Sequence, residues 1–139
     1  MSQHLRRPAF VTEALAHRRE FTEIAIVHVD DGLRTRVVLT ADDVRRFADE
    51  SFLSSDPWIV NEFATSTAST AMVESPGIVD ARWIVTFRDA ARRDRFTMVL
   101  DRFGRRANVQ ARAVAIDGGP LVRLLRQVTT MAERTPFST

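Results

Sequence analysis

The chain has 139 residues and a formal net charge of +2, and all twenty of its basic residues are arginines. It contains no cysteine, which excludes disulfides, thiolate catalysis and cysteine-based zinc sites. No apolar run approaches the ~20 residues of a membrane span, and the first residues lack the apolar core of a signal peptide. We expect one cytoplasmic domain over residues 1–139, loosely ordered over 1–11, with no cofactor, no metal and no membrane partner.

The first predicted elements are a short helix and a β-hairpin. Thr12 can cap a helix that runs to residue 20. Residues 23–30 alternate with apolar side chains on both faces, which predicts a central strand. Asp30-Asp31-Gly32 is typical of a tight turn, because glycine accepts a positive φ and aspartate tolerates it. Residues 34–40 are then predicted to return as the second strand.

Two helices are predicted to follow this hairpin. Thr40 can cap a helix over residues 41–53, whose apolar residues recur at helical spacing. Asp56-Pro57 is expected to start a second helix, with aspartate as the cap and proline in the first position. This helix should fray or end within residues 65–70, which are rich in Ser and Thr. Ser75-Pro76-Gly77 then predicts a break in regular structure.

The C-terminal half predicts a three-strand meander and a final helix. Residues 82–88, 96–101 and 107–116 alternate as three successive strands. Small residues on one face of the third strand would let a helix approach closely, or would leave room for a ligand. Gly118-Gly119-Pro120 is expected to start the last helix. The apolar stripe of that helix comprises Leu121, Leu124, Leu125, Val128, Met131 and Ala132.

The predicted order α-β-β-α-α-β-β-β-α indicates an α+β domain, with helices packed on a single five-stranded antiparallel sheet. This order is similar to that of PAS-type sensor domains and roadblock-type scaffold domains. The turns Asp30-Asp31-Gly32 and Phe103-Gly104-Arg105, and the strand end Ala115-Ile116-Asp117, lie where such domains have comparable turns. The resemblance covers about residues 13–134. It implies dimerisation and the binding of a signal or a partner, rather than catalysis.

An apolar pocket between the sheet and the helices is one candidate site. A small-molecule ligand would occupy the room beside the third meander strand. The alternative interpretation is that the same residues form a filled core. The residues concerned are Trp58, Phe63, Trp83, Phe87, Phe96 and Met98.

His28 is the one histidine within a predicted strand, and Asp30 follows it on the same face. The functional interpretation is an acid-base group. The alternative is a structural histidine that is hydrogen-bonded within the sheet. Asp42 and Asp49 would lie about two helical turns apart, too far to share a proton. The three histidines of the chain form no recognisable zinc pattern.

Seven arginines occur within residues 88–106. Guanidinium groups bind phosphate, so nucleic-acid binding is one interpretation. Arg92-Arg93 and Arg105-Arg106 are, however, predicted at opposite ends of one strand, on the order of 25 Å apart at ~3.3 Å per residue. Interspersed aspartates can pair with these arginines. The alternative interpretation is therefore two solvated turns that protect an edge strand.

These observations favour a small interaction or sensor module that acts as a homodimer, binds a protein partner and performs no catalysis. The expected interaction residues are Leu121 and Leu125 on the last helix, with Arg92-Arg93 and Arg105-Arg106 in the turns. Two alternatives stay open. One is a small-molecule-binding protein or enzyme with an apolar pocket and His28. The other is a nucleic-acid-binding protein that uses the arginine-rich turns.

Overall fold

Seven antiparallel strands form one sheet in the computed structural model, which describes residues 7–29, 38–48 and 50–134, with the backbone alone at 50 and 131–134. The strands are β1 (Glu23–His28), β2 (Glu50–Ser54), β3 (Met72–Glu74), β4 (Trp83–Arg88), β5 (Asp94–Leu100), β6 (Arg106–Val109) and β7 (Arg112–Ile116). Their order across the sheet is β2-β1-β4-β5-β6-β7-β3. The meander β4 to β7 therefore forms the middle, with β1 and β2 on one side and β3 on the other.

Four α-helices accompany the sheet, namely α1 (Ala9–Leu15), α2 (Ala41–Phe47), α3 (Pro57–Ala68) and α4 (Gly119–Arg134). Thr40 and Asp43 form a capping box at the start of α2, in which each side chain accepts a hydrogen bond from the backbone of the other. Asp56 caps α3 by accepting from the backbone N–H of Trp58 at 2.9 Å. No helix in the described part of the chain is long and apolar enough to cross a membrane.

The expectation of five strands is wrong, because the sheet has seven. The predicted helix over residues 41–53 ends at Phe47, and Ala48 leaves the helical conformation with a ψ of 127°. Residues 50–54 instead pair with residues 24–28 of β1. Pairing with a distant strand thus overrides a local apolar spacing that suits a helix equally well.

The first helix covers Ala9–Leu15, so it does not begin at a Thr12 cap and does not run to residue 20. The other departures lie around the meander. The third predicted strand, 107–116, is a hairpin of β6 and β7, and β3 adds a short strand on the far edge. Of the expected hairpin after β1, residues 30–37 lie outside the described residues, and 38–40 are not a strand. The observed order is α-β-α-β-α-β-β-β-β-β-α. It replaces the order on which the resemblance to PAS-type and roadblock-type domains depended.

The front face of the sheet, defined by Ile24, Ile26, Val85 and Met98, carries the main hydrophobic core. Three of the helices, α1, α3 and α4, pack on this face. The predicted apolar stripe of α4 is confirmed where its side chains are described, because it faces the sheet. The helix residues most deeply buried there are Val11, Leu15, Phe63, Leu121 and Leu125.

The described residues cover the opposite, back face at one end only. Val44 of α2 packs in a second cluster with Val29, Ile84 and Val99. Residues 75–82 join the edge strand β3 to the inner strand β4, so they have to cross β7, β6 and β5. Ala81 of this crossing segment belongs to the same cluster as Val44. Helix α2 and the crossing segment therefore cover the same end of the back face.

Candidate interaction surfaces

Five of the six residues predicted to line an apolar pocket lie in the main hydrophobic core. Phe63, Trp83, Phe87, Phe96 and Met98 are all buried on the front face. Phe87 stacks on Phe21 with ring centroids 4.9 Å apart and lies 6.2 Å from Phe96. Trp58, by contrast, lies on the surface of α3 with 69% of its area exposed.

His28 is buried on the front face and stacks on Trp83, with 3.6 Å between the ring centroids. The guanidinium of Arg126, on α4, lies 5.7 Å from the centroid of the same indole ring. The imidazole is thus packed within the core rather than at a surface. Asp30, its predicted partner, lies outside the described residues. Among the residues that the structure describes, no three His, Asp or Glu side chains come together as a metal site would require.

The arginines of the β4–β5 turn form a network with carboxylates. Arg93 Nε donates to Asp89 at 3.0 Å, and Arg92 Nη2 lies 3.6 Å from Glu23. Arg88 binds both Glu23 at 3.2 Å and Asp94 at 2.9 Å. The hydrogen bond that Arg88 donates to Asp94 is the main cause that raises the pKa of Arg88. The network is completed by Arg95, which binds Glu20 at 2.8 Å and Asp89 at 3.2 Å.

This network balances four arginines with four carboxylates, so the turn presents little net positive charge to a polyanion. The hydrogen bond from Arg95 is the main cause that lowers the pKa of Glu20. The pKa of Asp89 is also lowered, chiefly because its carboxylate accepts from the backbone N–H of Arg93. Both carboxylates therefore stay ionised beside their arginines at neutral pH.

The arginines of the β5–β6 turn lie at the other end of β5, as strand geometry predicts. Arg106 Nη2 donates to the Ser75 carbonyl at 2.7 Å and holds the crossing segment in place. Arg105 lies 5.7 Å from the ring centroid of Phe103, a side chain with 61% of its area exposed. The two arginine-rich turns do not form one continuous patch.

Leu121 and Leu125 face the sheet from α4 and are almost completely buried. The amphipathic spacing of α4 could indicate an association surface, but here its apolar side chains pack on the sheet of the same chain. In this arrangement neither side chain has surface to offer a partner. A charge at Leu125 would disrupt the core, so it could not report on dimerisation.

A strip of small, uncharged side chains crosses the uncovered part of the back face. Strand register places Leu53 beside Ala25, Ala25 beside Thr86, and Thr86 beside Thr97. Asn108 and its neighbour Ala113 continue the strip diagonally onto β6 and β7, because Asn108 is the direct partner of Val99, two residues from Thr97. Leu53 is 59% exposed, and most of the others are half-buried. We call these six residues the back-face strip.

A groove of about 830 Å³ runs between α3 and α4 on the other side of the molecule. Its α3 wall carries Glu62 and Ser66, which are one helical turn apart. Its α4 wall is longer and carries both charged and uncharged residues. That wall comprises Pro120, Arg123, Leu124, Arg126, Gln127 and Thr130.

Neither surface follows from a local sequence motif. The strip requires the register of six strands, and the groove requires the packing of two helices distant in sequence. The apolar character of both faces in residues 23–30 was the only local signal for the strip. No protein-family model, curated protein or solved structure matches this chain. The function of the chain therefore has to be inferred from its own surfaces.

Proposed function

We propose that this protein is a non-catalytic interaction module that forms a homodimer through the back-face strip. The observation that supports the proposal is the uncharged back-face strip, which lies on a sheet face that the described helices cover only at one end. Three helices pack on the front face, while α2 and the crossing segment cover one end of the back face. A second sheet could lie flat against the remaining area.

The chemistry of the strip suits a second copy of the same chain. In a two-fold dimer the same patch contributes from both sides, so a charged patch would place like charges together. The six residues of the strip carry no charge.

The size of the strip favours a weak dimer. It spans six adjacent strands, which at ~4.8 Å per spacing is about 24 Å. Interfaces below ~1,200 Å² of total buried area belong to transient complexes. We therefore expect an equilibrium between monomer and dimer in the micromolar range.

The test is sedimentation velocity combined with native mass spectrometry, at protein concentrations from ~1 µM to ~100 µM. The wild-type chain should shift from monomer to dimer across this range. Ala25→Arg places a charge within the strip and should leave only monomer. Thr65→Arg adds the same charge at an exposed position of α3 and should dimerise like the wild type.

Circular dichroism checks that each variant is folded. Asn108→Arg provides a second substitution in the strip, on β6. A wild-type chain that stays monomeric throughout would refute the homodimer. A dimer that persists in both strip variants would show that another surface forms it.

A further inference from the structure

We draw no further inference here: the strongest candidate, the groove of about 830 Å³ between α3 and α4, has walls of mixed charge, and nothing in the part of the chain that the structure describes shows what would occupy it.

Discussion

At the scale of single residues, the turn between β6 and β7 contains a local strain. Gln110 and Ala111 have φ angles of 50° and 66°, in the left-handed region that glycine adopts most easily. A residue with a Cβ costs roughly 1–2 kcal/mol in this conformation. Gln110 gains in return, because its side-chain oxygen accepts from the backbone N–H of Thr97 at 2.9 Å. Ala111 cannot form a comparable hydrogen bond, because its side chain has no polar group.

Ala111→Gly should therefore raise the free energy of unfolding by about 1 kcal/mol, measured by urea denaturation. The matched control is Ala113→Gly in the neighbouring strand β7, where glycine should lower the free energy of unfolding by about 0.5–1 kcal/mol. A loss of stability in Ala111→Gly would contradict the left-handed turn.

The residue types indicated the chemical character of each side chain better than they indicated where that side chain lies in the fold. The sequence showed that His28 lies within a strand, and this is confirmed. Its stacking on Trp83 depends on the register of β1 against β4, which no local pattern specifies. Trp58 has the apolar character of a core residue, yet the cap at Asp56 sets a helical phase that turns it outward.

At the scale of elements, the β4–β5 turn depends on one ionised carboxylate. Asp89 Oδ1 accepts from the backbone N–H of Ala91 at 2.9 Å and of Arg93 at 3.0 Å. Its Oδ2 accepts from the side chains of Arg93 and Arg95. Folding lowers the pKa of Asp89, chiefly through the Arg93 backbone, so the folded state favours the ionised form. This stabilisation is complete above the unfolded pKa of about 3.9 and is lost as pH falls through the lower folded pKa.

Asp89→Asn should lower the urea midpoint at pH 7 and should reduce the further loss of stability between pH 7 and about pH 3. The control is Asp42→Asn on α2, whose carboxylate is almost fully exposed and, among the described residues, pairs with Arg45 at 3.4 Å. Exposed pairs of this kind contribute little. An identical pH dependence in wild type and Asp89→Asn would show that the turn does not depend on this charge.

The elements that the sequence predicted correctly are those with strong local signals. The apolar stripe and the glycines before it predicted α4, and the alternation of residues 82–88 predicted β4. β2 was missed because residues 50–54 continue a helical spacing, and only β1 gives them a partner as a strand. β3 was missed because three residues are too short to show alternation.

At the scale of the whole molecule, three helices pack on the front face of the sheet, whereas the described residues cover only part of the back face. The class of the fold, α+β on an antiparallel sheet, was predictable from the succession of elements. The order of the strands was not, because β1 pairs with β4 and β3 pairs with β7 across long stretches of chain. The back-face strip and the groove are consequences of that order. They could be seen only after the strands had been placed.

The crossing segment 75–82 separates β3 from the meander, and this separation also constrains the order in which the strands can form. The strands β4 to β7 pair with their immediate successors, so their contacts require only short loops to close. Pairing of β3 with β7, and of β1 with β4, closes much longer loops and costs more chain entropy. In pulsed hydrogen exchange during refolding, amides of β5 and β6 should gain protection before those of β1 and β2. Simultaneous protection of all strands would instead indicate that the meander has no independent nucleus.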